Sequence, residues 1–259
     1  MTITTRTIDR FLAKVDIPIG PTELITRVII KGLTAAADRG VFLELTTFDE
    51  LMSVNSQNLE SWRPLSTSWQ PGLGHADNNT GYVIIGRNAD GQIMTTTAIQ
   101  YLDWRHTDFK TEAESLRFFY ANPEQDAAAG EACEVGNEGR GALSERTLHT
   151  GAGWFHSDMR GRQLTNIIPR VSRAYAAGRW TVDSAFGVIS EYNCSRQFHK
   201  RIGLIEDVAP VTFVNSPSYP GQTVKLRLVR MSLDEIYNDS VRFLLDFDSD
   251  AAINQRSAQ

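Results

Sequence analysis

The run Trp154-Phe155-His156-Ser157-Asp158-Met159-Arg160-Gly161-Arg162-Gln163-Leu164-Thr165-Asn166-Ile167-Ile168 combines three features that chemistry can use. It begins like the end of a strand, passes through a tight turn rich in arginine and glycine, and continues with the spacing of an amphipathic helix. The first amides of a helix lack intrahelical carbonyl partners and sit at the positive end of its dipole. Arg160 and Arg162 beside them add charge-assisted donors. Such a turn suits the phosphates of a ligand. The residues that would hold it are Arg160, Gly161, Arg162, Gln163, Leu164 and Thr165, with Phe155 and His156 leading in. The competing reading is a solvated turn with two surface arginines.

Other reactive side chains are less ordered in sequence. Glu131, Glu134, Glu138 and Glu145 are candidate proton acceptors, although each reads equally as solvated surface. His149 and His156 are seven apart, so a regular strand points them to opposite faces, which argues against a shared metal. No Cys/His spacing fits a zinc site. Gly136-Asn137-Glu138-Gly139-Arg140-Gly141 lacks the lysine and Ser/Thr of a phosphate-binding P-loop and reads as a lid or linker. Cys133 has no histidine near it in sequence and reads as a plain thiol.

The elements around the arginine turn follow from periodicity and breakers. Residues 1–20 read as an extended arm closed by Ile17-Pro18-Ile19-Gly20-Pro21. Thr22 caps a helix with Leu24, Ile25, Val28, Ile29 and Leu33 on one face, and Gly40 ends it. Val41–Thr47 is strand-like, Phe48–Trp62 helical, and Pro64–Thr80 a loop. Gly81–Arg87, the turn Asn88-Ala89-Asp90-Gly91, and Gln92–Tyr101 form a hairpin with an Asp-Gly signal. Lys110–Tyr120 reads as helix. Residues 122–146, polar and small, read as a flexible insertion. Thr147–His156 is the strand that enters the turn, and its glycines, Gly151 and Gly153, permit close approach or mark a bulge. Leu164, Ile167, Ile168, Val171, Ala174 and Tyr175 share a helical face that ends near Gly178, although Pro169 removes one helical bond. Trp180–Ser190 is a strand, Cys194–Ile202 a short helix stopped by Gly203, and Val211–Asn215 and Gln222–Arg230 are strands. Ser232 opens a last helix, with Glu235 in capping-box position. This order makes an α/β fold with a mixed, mostly antiparallel central sheet and helices on both faces, in one domain over residues 1–259.

Composition narrows the setting. The chain has 259 residues, 41% of them hydrophobic, and a formal net charge of −5. That balance gives no general nucleic-acid footprint. No apolar run approaches the ~20 residues of a membrane span. Met1-Thr2-Ile3-Thr4-Thr5-Arg6 has no apolar segment of a signal peptide behind it. The two cysteines, Cys133 and Cys194, read as reduced thiols of a cytoplasmic protein.

Two motifs resemble the GNAT-type N-acetyltransferase superfamily. Arg160-Gly161-Arg162-Gln163-Leu164-Thr165 is similar to that family's Gln/Arg-x-x-Gly-x-Gly/Ala turn, with Gln163 and Thr165 where the family prefers small residues. Asn193-Cys194-Ser195-Arg196-Gln197-Phe198-His199-Lys200-Arg201-Ile202-Gly203-Leu204 is similar to its helix with a tyrosine four residues before Gly-Phe, and His199 stands at the tyrosine. The resemblance covers the last two-thirds of the chain, and the first third only by strand order. It implies a GNAT-like fold and acetyl-CoA or another acyl-CoA as co-substrate, bound at the arginine turn. It also implies transfer to a small amine, with His199 in the place of the acid that protonates the leaving thiolate. No metal, nucleic acid or membrane partner is implied, and relatives often pair as homodimers. A different acyl donor, of the aminoacyl or acyl-homoserine-lactone type, is the alternative, as is a non-catalytic CoA-binding protein.

Overall fold

The computed structural model describes the backbone of residues 3–143 and 145–256, and side chains within 5–143 and 145–247. Met1, Thr2 and Ser144, on which parts of the arm and insertion readings fall, lie outside the described residues. The strands are β1 (Phe42–Thr46), β2 (Gly81–Arg87), β3 (Ile93–Asp103), β4 (Ala132–Val135), β5 (Arg146–Phe155), β6 (Ser184–Ser190), β7 (Glu206–Val214) and β8 (Thr223–Ser232). The helices are α1 (Ile3–Leu12), α2 (Thr22–Ala37), α3 (Phe48–Gln57), α4 (Phe109–Glu114), α5 (Pro123–Asp126), α6 (Leu164–Arg179), α7 (Glu191–Ser195), α8 (Phe198–Arg201) and α9 (Leu233–Arg256).

All eight strands join one sheet in the order β1-β2-β3-β5-β6-β8-β7-β4. Every neighbouring pair is antiparallel except β5 and β6. The mixed, mostly antiparallel sheet expected from the sequence is therefore present. Alternation along the strands sends side chains to two faces. On the first face α2, α6 and α9 pack over Leu43, Ile84, Ile99, Leu148 and Val229. On the second, α3 covers Val83, Ile85 and Ala98, and an aromatic group around Trp104, Phe109, Phe118 and Phe186 covers the remaining strands.

The predicted apolar face of α6 is buried at every position named for it. Helix α2 lies so close that a Cβ on Gly32 would sit 2.1 Å from Val171 Cγ2. The capping box at α9 forms as expected. Ser232 N donates to Glu235 Oε2 at 2.7 Å, and Glu235 N donates to Ser232 Oγ at 3.2 Å.

Several boundaries differ. The extended N-terminal arm contains α1, whose Phe11 is buried with Ile8 and Leu12 beside it, at spacings three and four apart. Thr22 is the first helical residue of α2 rather than its cap; Pro21 precedes it with no side-chain cap bond. Helix α3 stops at Gln57, because Asn55 turns its side chain to the backbone of Arg63 and Leu65. Helix α4 stops at Glu114, and Leu116 follows in the left-handed region at φ 61°. Strand β6 starts at Ser184, four residues after Trp180. The helix read over Cys194–Ile202 is two short helices, parted by Gln197 at φ 56°.

The largest correction concerns the insertion at 122–146. It holds β4, which pairs with β7 from Ala132↔Val214 to Val135↔Val211 and buries Cys133 and Val135. Four residues are too short for alternation to stand out in sequence, and the partner strand supplies the order.

Candidate active site

Strands β5 and β6 run side by side for only three residue pairs, Thr147↔Ser184, Leu148↔Ala185 and His149↔Phe186. Beyond these, β5 continues to Phe155 and β6 to Ser190 without pairing. A wedge therefore opens inside an otherwise continuous sheet. Its walls are two strand edges whose amides and carbonyls face one another across a gap.

The β5 wall is irregular. Thr96 pairs with Trp154 and Ala98 with Gly151, so Ala152 and Gly153 together oppose Thr97. This is a β-bulge, one of the two outcomes the glycines allowed, and Ala152 takes the left-handed φ of 47°. Thr96 Oγ1 donates to Ala152 O at 2.8 Å. A bulge leaves one residue outside the ladder and reverses side-chain parity after it. The expected opposition of His149 and His156 is thereby overturned. His149 stacks on Trp69, while His156 lies edge-on to Trp154, itself stacked on Trp62. Leu148 and Phe155 both face α6.

The arginine turn follows directly. Ser157–Met159 forms a 3-10 turn, and His156 Nδ1 accepts from Asp158 N at 3.3 Å. His156 thus braces the turn. Arg160 is exposed and has no side-chain partner among the described residues. Gly161 is exposed at φ 76°, and a Cβ there would meet nothing within 4 Å. Arg162 is exposed and donates through Nη1 to Arg39 O at 2.9 Å, which fastens the turn to the end of α2. Gln163 caps α6 at φ 57°, a left-handed conformation that favours glycine. The Leu164 side chain is buried, so only its backbone is available to a ligand. Thr165 is half-buried on the first turn of α6. Pro169 sits four residues further, and α6 runs unbroken through it.

A groove of about 660 Å³ continues from this turn between α6, α8 and α9. Gln163, Asn166 and Arg170 form one side; Arg196, Gln197, Lys200 and Arg201 form another; Arg242 comes from α9. Five cations against Asp239 and Asp246 make it electropositive. Arg170 Nε holds Asp239 Oδ2 at 2.9 Å. Behind it the fully buried Arg173 donates to Ile202 O at the end of α8, and its Nη1 has no partner. Burial lowers the Arg173 guanidinium to about 10, with Asp239 opposing that shift. Periodicity within any one element misses this groove, because its cations come from α6, α8, α9 and the link before α8.

His199 lies on α8 and is buried. Its Nδ1 is 3.5 Å from Cys194 Sγ on α7. Burial lowers the imidazole, and Asp207 pulls the other way. Burial raises the Cys194 thiol to about 11, with Asp207 adding to the effect, so the sulfur stays protonated at neutral pH. Cys133 is raised to about 12 by burial. The two cysteines are unbonded.

Among the carboxylates named from sequence, Glu131 stands apart. It is buried, its Oε2 accepts from Tyr120 Oη at 2.7 Å and from Ala128 N at 3.0 Å, and its Oε1 has no partner. Glu134, Glu138 and Glu145 are exposed. Among the described residues no group of three His, Cys, Asp or Glu side chains could hold a metal ion, and no helix is long and apolar enough to cross a membrane.

No protein-family model matches the chain, and no curated protein matches it. Solved structures do. A variant of the spermidine N-acetyltransferase SpeG from Vibrio cholerae aligns at 7% identity over 78% of this chain and 98% of its own, with a TM-score of 0.45. The putative acetyltransferase yncA from Salmonella typhimurium, solved with acetyl-CoA, aligns at 10% over 76% and 95%, with a TM-score of 0.41. Arabidopsis thaliana NAA60 in complex with acetyl-CoA aligns at 8% over 75% and 99%, with a TM-score of 0.43. The site is read from this chain's own residues.

Proposed function

We propose that the protein is a GNAT-type N-acyltransferase that moves an acyl group, acetyl in the simplest case, from coenzyme A to a small amine by direct attack. The observation that carries this reading is the wedge between β5 and β6, whose bulged β5 wall runs straight into the Arg160–Gln163 turn and the N-terminus of α6. A thioester on a long polar arm needs this combination of a gap lined by strand edges, a phosphate seat at its mouth, and space beyond for a nucleotide.

The residues fit such a donor. The unpartnered Arg160 and the open space at Gly161 accept a pyrophosphate beside the first amides of α6. The cationic groove lined by Arg196, Lys200 and Arg201 suits further phosphate. The arm lies along β5, where the Ala152–Gly153 bulge frees backbone groups for hydrogen bonding to it and to the thioester oxygen.

In the transfer the amine loses a proton, its nitrogen bonds to the thioester carbon, and the carbon–sulfur bond breaks. The sulfur leaves as thiolate and takes up a proton, so products are an amide and free thiol, with one proton released from the ammonium. His199 is our candidate for protonating the leaving sulfur, a proton separate from the one released, with Cys194 setting the ring orientation through Nδ1. One catalytic domain, built on the eight-stranded sheet, accounts for all these parts.

Calorimetric titration with acetyl-CoA tests the reading, followed by thiol release in the presence of an amine panel. Saturable binding weakened by Arg160→Ala is expected. Absence of binding at millimolar acetyl-CoA overturns it.

A further inference from the structure

His199 belongs to a cluster that spans two helices and a strand. Strand β6 ends at Ser190, on one wall of the wedge, and α7 starts at the next residue, Glu191. Cys194 of α7 is buried in the core on the first face of the sheet. His199 Nδ1 lies 3.5 Å from its Sγ. The other ring nitrogen, Nε2, has no hydrogen-bond partner among the described residues.

The third member comes from β7, and a bulge aims it. Asp207 pairs with Val229 and Ala209 with Leu228, so Val208 is the extra residue. Residues directly opposite in a ladder share a face of the sheet. Val229 belongs to the first face and Leu228 to the second. Asp207 therefore faces the side of Cys194, whereas a regular strand would send it with Ala209 to the second face. There Arg227 Nε donates to Asp207 Oδ1 at 2.7 Å, and the Asp207 carboxylate accepts from the Cys194 thiol.

Donor and acceptor capacity then orders the protons. A carboxylate in an ion pair only accepts, a thiol donates once, and a neutral imidazole carries one N–H. The Cys194 S–H goes to Asp207, so its sulfur is left to accept from Nδ1–H. Burial lowers the His199 imidazole, Asp207 opposes that shift and Lys200 adds to it, so at neutral pH the ring holds a single proton. The tautomer of a neutral histidine follows the hydrogen bond that one of its nitrogens makes.

We propose that Asp207 is a positioning residue for His199: through the Cys194 thiol it fixes the ring proton on Nδ1 and leaves Nε2 to take up and release the proton used in the reaction. On release to the leaving sulfur, the Nε2–H bond breaks, an S–H bond forms, and the ring returns to the Nδ1–H form. The inference rests on the acyltransferase reading for the use of this proton. The tautomer itself is measured without acyl donor or amine.

The experiment is a long-range proton–nitrogen correlation spectrum of the full chain, labelled with nitrogen-15 in its histidines and recorded at neutral pH. His199→Gln identifies the His199 signals among the five histidines. The expected result is a pyrrole-type Nδ1 and a pyridine-type Nε2. Cys194→Ser keeps one donor and one acceptor and should retain this pattern. Asp207→Ala and Cys194→Ala should move His199 to the Nε2–H form, seen as a large downfield shift of Nδ1. A pyridine-type Nδ1 in the unaltered chain overturns the proposal, and that spectrum decides even where a variant fails to fold. An unchanged Nδ1 in folded Asp207→Ala also overturns it. Failure to bind acetyl-CoA, with Nδ1 still pyrrole-type, overturns the acyltransferase reading and leaves the tautomer assignment standing.

Discussion

His149 of β5 and Phe186 of β6 are the last register partners before the two strands separate, and their rings stack at 5.0 Å and 17°. The hinge of the wedge is thus an aromatic contact with Trp69 on the other side of the imidazole. A polar ring is held here without a partner for Nδ1.

That burial has a pH consequence. Desolvation lowers His149 to about 3, against 6.5 for a free imidazole. The unfolded chain therefore binds one more proton than the folded chain between these values. Stability tied to His149 is fully present above about pH 6.5 and is lost as pH falls toward 3, by up to about 1.4 kcal/mol per pH unit. His149→Phe should flatten this part of the pH dependence. Chemical denaturation of both proteins at pH 7 and pH 5 measures it, and an unchanged pH slope would contradict the role.

The two arginines of the turn should not be equivalent. Arg160 is unpartnered, whereas Arg162 already donates to Arg39 O. Arg160→Ala is expected to weaken acetyl-CoA binding by about tenfold or more, the scale of one charge-assisted phosphate contact. Arg162→Ala should show a smaller loss in affinity and a lower melting temperature, because it releases the turn from α2. Paired titrations and melts separate the two; the reverse order of affinities would count against the phosphate seat.

Gln163 occupies a glycine-like conformation at φ 57°. A left-handed non-glycine residue carries a cost of about 1–2 kcal/mol, partly offset by the flexibility glycine brings to the unfolded chain. Gln163→Gly should raise stability by up to about 1 kcal/mol and tighten acetyl-CoA binding. Denaturant midpoints and titration read the two effects. A loss of affinity would mean that the Gln163 side chain itself contacts the ligand.

His199 gives a test of the proton step. Its lowered pKa means that the protonated fraction falls as pH rises from acid toward neutrality. If His199 supplies the proton to sulfur, kcat declines through this range, and His199→Gln removes the inflection and lowers kcat by about a hundredfold. Acetyl-CoA affinity should be little changed. An unaltered pH profile in the variant would remove His199 from the reaction.

Much of this arrangement is legible in the sequence. The apolar stripe of α6, the Asp-Gly hairpin of β2 and β3, the Ser232–Glu235 box and the Arg160–Thr165 turn are all local patterns. Spacing within a few residues determines them, because helix periodicity, turn chemistry and capping act over one or two turns of chain.

Tertiary structure decided the remainder. The bulge at Ala152 put His149 and His156 on one face, where a regular strand would have opposed them. Strand β4 exists because β7 presents an open edge to it. The cationic groove gathers Arg170 of α6, Arg196 after α7 and Arg242 of α9, and the Arg63 guanidinium meets the ring of Tyr219, 156 residues away in sequence. Such features depend on which strand edges remain unpaired and which surfaces meet after packing. Those are properties of the assembled sheet, and no short window of sequence carries them.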